Sequence, residues 1–129
     1  MAKTLLVIDD DRDIREVAKT SLELVGGFTV IVAESGQRGV TAAQEVKPDA
    51  IILDLMMPVM DGWAVLEQMQ AIPPEDRPRV IVVSARSSLR DRAKAAELGA
   101  DAFVSKPFNV DDLLAVLHGL SDAPADAVG

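Results

Sequence analysis

Asp9, Asp10, Asp54, Ser84 and Lys106 each stand where a short apolar run of the sequence stops. Leu5-Leu6-Val7-Ile8 ends at Asp9-Asp10, and Ile51-Ile52-Leu53 ends at Asp54. Val80-Ile81-Val82-Val83 ends at Ser84, and Ala102-Phe103-Val104 runs through Ser105 to Lys106-Pro107. Runs of this kind, bounded by breakers, suit strands buried on both faces, as in a parallel sheet. The carboxyl ends of such strands form the rim at which open α/β sheets bind ligands. Parallel strands would therefore gather carboxylates, a hydroxyl and one ammonium in one place. Clustered carboxylates repel one another, and a hard divalent cation that keeps some of its water, Mg²⁺ (or Mn²⁺), relieves that repulsion. A plainer role for Asp9 and Asp10 is to cap the helix that follows, but Asp11 or Asp13 suits that role better.

The elements that must position these groups follow from periodicity. Ile14, Val17, Ala18, Ser21, Leu22 and Val25 have helical spacing, and Gly26-Gly27 stops that helix. Residues 28–33 form a second strand; Ser35 caps a second helix with Val40, Ala43 and Val46 inward, ended by Pro48. A third helix runs from about Asp61 to Ala71 and buries Val65, Leu66 and Met69, and its Pro-rich exit at 73–78 cannot be helical. The fourth strand is 79–84. A helix from about Ser88 to Leu98 follows, with Leu89, Ala93 and Ala96 inward, stopped by Gly99. The fifth strand spans 101–105, and the last helix opens near Asn109 and presents Val110, Leu113, Leu114 and Leu117. Five strands alternating with five helices predict a doubly wound α/β fold with right-handed crossovers.

Composition narrows the function. The 129 residues, 49% of them hydrophobic, suit one domain with a real core. No cysteine is present, which excludes disulfides and thiolate metal sites. No apolar run approaches the roughly 20 residues that span a bilayer, and the amino terminus lacks the layout of a signal peptide. A cytoplasmic protein without a membrane partner is expected. Its net charge of −8 and its few aromatics disfavour direct nucleic-acid binding.

Taken together, Asp9-Asp10, Asp54 with Met57-Pro58 and Met60-Asp61-Gly62, Ser84-Ala85 and Lys106-Pro107 resemble the receiver domain of two-component response regulators. The likeness runs in order from Lys3 to about Leu120, so residues 1–120 are expected to be the domain and 121–129 a tail or the start of a linker. It implies a flavodoxin-like sheet of order 2-1-3-4-5. Asp54 is implied to be the nucleophile that accepts a phosphoryl group from a sensor histidine kinase or phosphotransfer protein. Asp10, Asp54 and the Met56 carbonyl would hold the metal, and Asp9 would hold it through water. Lys106 and Ser84 would contact the phosphoryl oxygens, and Pro107 would follow a cis peptide. Such a domain catalyses only its own phosphorylation and dephosphorylation.

The resemblance also implies a switch, in which Ser84 moves toward the phosphoryl group and Phe103 turns inward. That would alter the face of the fourth helix, fifth strand and fifth helix toward a downstream protein target. Phe103 reads equally well as edge packing, and where many relatives carry Tyr it lacks the hydroxyl. Arg86, Arg90, Arg92 and Lys94 read best as a solvated face and otherwise as a docking or homodimer patch facing Asp101, Asp111 or Asp112. Trp63 reads as helix packing, and Met56 as a shield against attacking water. A stand-alone regulator is expected, with a receiver from a longer regulator or hybrid kinase as the alternative. A Mg²⁺-dependent phosphatase with an aspartyl nucleophile is less favoured, because that family carries a second Asp where this chain has Met56.

Overall fold

The computed structural model describes residues 3–122. Its elements alternate: β1 (Thr4–Ile8), α1 (Arg12–Leu24), β2 (Thr29–Ala33), α2 (Gly36–Val46), β3 (Ala50–Asp54), α3 (Gly62–Met69), β4 (Arg79–Ser84), α4 (Leu89–Glu97), β5 (Ala102–Ser105) and α5 (Val110–Asp122). All strands are parallel, in the order β2-β1-β3-β4-β5. This is the flavodoxin-like order that the resemblance implied.

The central strands are apolar between their end residues because both faces are covered. Leu5, Val7, Ile52, Ile81 and Val83 point toward α1 and α5, where Ala18, Leu22, Leu113 and Leu117 meet them. Their neighbours Leu6, Ile8, Ile51, Leu53, Val80 and Val82 point the other way, onto Val40, Ala43, Val65, Leu66, Met69 and Ala95. The two-residue period of a strand makes that division. Among the described residues, no helix is long and apolar enough to cross a membrane.

Polar residues set the helix starts. The Asp11 carboxylate accepts from the Asp13 and Ile14 N–H groups, Ser35 from Arg38, Asp61 from Ala64 and Ser88 from Asp91. Of the two candidates for the first cap, Asp11 is used. Asn109 and Asp112 cap α5 reciprocally.

Several apolar residues at helical spacing are exposed, among them Val46, Leu89, Ala93 and Ala96, which were expected inward. Val17 and Val25 are 65% and 63% exposed, and Val46 is 40% exposed. The Ile14–Ala18–Leu22 stripe already fills the face of α1 toward the sheet, which leaves Val17 on its flank, and Val25 lies past the helix end. On α4, Leu89 is 86% exposed, Ala93 and Ala96 also face solvent, and Ala95 is the buried residue. The helix turns Arg92 toward β5 instead. Its guanidinium donates to the Ser105 hydroxyl at 2.6 Å and the Ser87 carbonyl at 3.3 Å, and lies 4.7 Å over the Phe103 ring. Hydropathy spacing does not register such a network. At the carboxyl end, α5 continues to Asp122, past the expected start of the tail. The expectation for 123–129 falls outside the described residues.

Candidate functional site

Strand register brings the polar residues to one rim. Ile8 pairs with Leu53, so Asp9 follows one strand where Asp54 ends its neighbour. Asp54 pairs with Val83, which sets Ser84 one step further along the next strand. Ser84 pairs in turn with Ser105, the residue before Lys106. The Lys106 N–H donates to the Ser84 carbonyl at 2.9 Å, extending the ladder past the strand ends. The peptide between Lys106 and Pro107 is cis.

Asp9, Asp54 and Ser84 are buried, whereas Asp10 is exposed. One oxygen from each of Asp9, Asp10 and Asp54 lies within 4.8 Å of the others. The Lys106 ammonium is 3.2 Å from an Asp9 oxygen and 3.5 Å from an Asp54 oxygen. Two of the three carboxylates thus pair with the Lys106 ammonium.

Backbone donors hold the carboxylates in place. The Asp11 N–H donates to Asp9 Oδ1 at 2.9 Å, and the Met56 N–H donates to Asp54 Oδ1 at 3.2 Å. Burial first, and the Asp9 charge second, push the Asp54 carboxyl up from 3.8 to about 6. The Met56 N–H and the Lys106 ammonium pull the other way without cancelling that rise. The donor set is all oxygen, partly open to water and over-rich in negative charge, which fits Mg²⁺ or Mn²⁺. Among the described residues, Asp9, Asp10 and Asp54 are the carboxylates that could hold such an ion.

The Ser84 hydroxyl accepts from the Arg86 N–H at 3.0 Å, which leaves its own proton free to be donated. The Met56 side chain is 52% exposed. Phe103 is partly buried, against the α2–α3–α4 side of the core. Beside Lys106, a cavity of about 630 Å³ opens between α1 and α5, lined by apolar groups that include Ile14, Val17, Pro107 and Phe108.

Sequence reasoning did not single out Arg15, whose guanidinium donates to the Asp9 carbonyl at 2.8 Å and ties α1 to the rim. Its place one turn into the helix was the available signal. Neither Arg92 nor Lys94 is simply solvated, because Lys94 lies 4.4 Å over the Trp63 ring. Asp101, one suggested partner in a dimer, is engaged within the chain by Arg79 and the Val80 N–H.

The family model of the response regulator receiver domain matches residues 5–118. A curated relative, the response regulator MprA of Mycolicibacterium vanbaalenii, is 36% identical over 131 residues, covering 100% of this chain and 55% of that protein. The chain therefore spans about half the length of that relative. Among solved structures, a CheY-like response regulator receiver domain protein from Methanospirillum hungatei superposes with a TM-score of 0.87 at 29% identity, covering 95% of each chain. The chemotaxis protein CheY4 of Vibrio cholerae gives a TM-score of 0.83 at 27% identity, covering 92% of this chain and 98% of the other.

Proposed function

This chain belongs to the response regulator receiver domain family, and on that premise we propose that Asp54 accepts a phosphoryl group from a protein phosphohistidine. Members of this family are signalling domains that interact with histidine kinases and downstream targets. The observation that carries the reading is the convergence of Asp54, Asp9, Asp10 and Lys106 from separate strand ends onto one rim.

In the proposed step an Asp54 oxygen bonds to phosphorus as the phosphorus–nitrogen bond to the donor imidazole breaks. The imidazole nitrogen leaves with the electron pair, and an acyl phosphate remains on Asp54. Phosphoryl transfer asks mainly for positioning and charge neutralisation. The Met56 N–H orients the attacking carboxylate, the Lys106 ammonium faces the transferred oxygens, and the Ser84 hydroxyl donates to one of them. A bound divalent cation supplies further positive charge beside those oxygens.

Phosphorylation then acts on the face made by α4, β5 and α5. Drawing the Ser84 hydroxyl toward the phosphoryl group removes it from the Arg86 N–H and loosens the turn before α4. Phe103 moves with that turn, and Arg92, which bridges Ser87, Phe103 and Ser105, carries the change between α4 and β5. A downstream protein or a second copy of the chain would read this face. Action in the cytoplasm, without membrane or direct nucleic-acid contact by this domain, agrees with the kinase partner and the acidic surface.

We take the receiver to run to the end of α5 at Asp122, just past the expected boundary at 120. The length relation to the curated relative supports a module of a longer regulator; a regulator acting alone through protein contacts is the other reading. A phosphatase reading fares worse, because Met56 stands where a second carboxylate would be needed. Incubation with Mg²⁺ and acetyl phosphate is expected to load one phosphoryl group per chain and then only hydrolyse it. Sustained turnover of a general phosphate ester would favour the phosphatase instead.

A further inference from the structure

Two of the three carboxylates at the rim are held through their own side-chain oxygens. Asp9 Oδ1 accepts from the Asp11 N–H at 2.9 Å and Oδ2 from Lys106 at 3.2 Å, while Asp54 Oδ1 accepts from the Met56 N–H at 3.2 Å. Asp10 differs. It is exposed, and among the described residues no donor reaches its carboxylate. Yet one of its oxygens lies within 4.8 Å of oxygens from both the others, against their repulsion. Its direction must come from the backbone.

Two bonds fix the backbone just before Asp10. The Asp9 N–H donates to the Ala33 carbonyl at 3.2 Å, and the Asp9 carbonyl accepts from Arg15 Nη1 at 2.8 Å. A peptide unit is planar, so holding this carbonyl also sets the Asp10 N–H and the Cα that carries its side chain. Helix α1 places Arg15 for the purpose: its N–H donates to the Asp11 carbonyl at 3.0 Å, in the turn that the Asp11 carboxylate caps. Among the described residues the guanidinium forms no ion pair, and the Asp9 carbonyl is its hydrogen-bond partner. A positive charge beside a cation site repels the ion, so charge gives no reason for an arginine here. The bond to the carbonyl does.

We propose that Arg15 is a positioning residue for the divalent cation: by holding the Asp9 carbonyl it fixes the Asp9–Asp10 peptide and so aims the Asp10 carboxylate at the ion. This rests on the metal-dependent phosphoacceptor reading above. Without the guanidinium that peptide is free to turn, and repulsion from Asp9 and Asp54 drives Asp10 out into solvent. Binding the ion must then order Asp10 as well, which weakens it.

The test counts bound Mn²⁺ by the loss of the free ion's electron paramagnetic resonance signal, on the full chain with no phosphodonor present. Arg15→Met keeps an apolar stem and removes the donors and the charge; Arg15→Lys keeps the charge and a donor. The Kd of Arg15→Met is expected to rise roughly tenfold, although loss of the positive charge alone would lower it. Arg15→Lys should stay within about threefold of the natural chain. In an Asp10→Ala background Arg15→Met should cause no further rise, because no carboxylate is left to aim. Thermal unfolding in chelator reads any general loosening of α1 separately, and if Arg15→Met does not fold, the helix-favouring Arg15→Ala replaces it with the same expectation. An unchanged or lower Kd for Arg15→Met overturns the proposal, even if its melting temperature falls, since Arg15 would then brace α1 alone. A Kd for Arg15→Lys as high as that of Arg15→Met overturns it too, as does an undiminished loss in the Asp10→Ala background. A natural chain that binds no Mn²⁺ defeats the metal-dependent reading as well, whereas Mn²⁺ binding indifferent to Arg15 defeats this proposal alone.

Discussion

Without divalent cations at pH 8, the Asp54→Asn chain is expected to unfold at a higher temperature than the natural one. Asp54 is carried folded into a site that resists its charge. Its carboxyl is pushed from 3.8 to about 6 by burial and then by Asp9. Between those values the folded chain holds more protons than the unfolded one, so stability falls as pH rises through the window and stays low above it. The asparagine amide keeps the shape and cannot ionise. One pH unit of displacement corresponds to about 1.4 kcal/mol, which makes the gain roughly 1–3 kcal/mol at pH 8. For a domain of this size that is on the order of 3–10 °C. The advantage should shrink below pH 6 and be small near pH 4, where Asp54 is protonated in the folded state and about half protonated in the unfolded one. Thermal unfolding in chelator at pH 8, 6 and 4 tests this, and a gap that widens in acid would contradict it.

Lys106→Ala should do the reverse, and by more. Its ammonium lies 3.2 Å from Asp9 and 3.5 Å from Asp54, both nearly buried, and its side chain is itself only 19% exposed. Deleting it leaves two facing carboxylates with no cation of their own. Removing one member of a buried ion pair costs roughly 3–5 kcal/mol, and the open rim reduces this to about 2–4 kcal/mol. Lys106 also holds the Asp54 carboxyl down, so its loss raises that group further and lets it protonate sooner as pH falls. The deficit should therefore be largest at pH 8 and smaller at pH 5. Adding Mg²⁺ should narrow it, and so should combining the change with Asp54→Asn. A deficit equal at both pH values and indifferent to Mg²⁺ would mean that lost packing of the lysine stem is responsible.

The frame was legible because its signals are local. Every central strand is a short apolar run closed by a breaker, and polar caps at Asp11, Ser35, Asp61 and Ser88 mark the helix starts. Strand order came from the resemblance, since periodicity carries no information about which strands become neighbours. The convergence of Asp9, Asp10, Asp54 and Lys106 could be anticipated once the strands were parallel, because the strand ends then share a rim. What escaped were choices made by tertiary contact. Leu89 faces water because Arg92 finds the Ser105 hydroxyl, the Ser87 carbonyl and the Phe103 ring on the inner side of α4. Arg77 closes the carboxyl end of α3 by donating to the Gln70 and Ile72 carbonyls, across a proline-rich exit that reads only as a break. The positive φ of Val59 is likewise set by the packing of Met57, Met60 and Gly62 around it, and no residue preference announces it.

The most direct measurement is to locate the phosphoryl group. Purified chain incubated with acetyl phosphate and Mg²⁺ is digested under acidic conditions and its peptides are mapped by mass spectrometry. The account predicts a single acyl phosphate on Asp54, absent without Mg²⁺ and absent from Asp54→Asn. A phosphoryl group on any other residue, or undiminished labelling of Asp54→Asn, would contradict it.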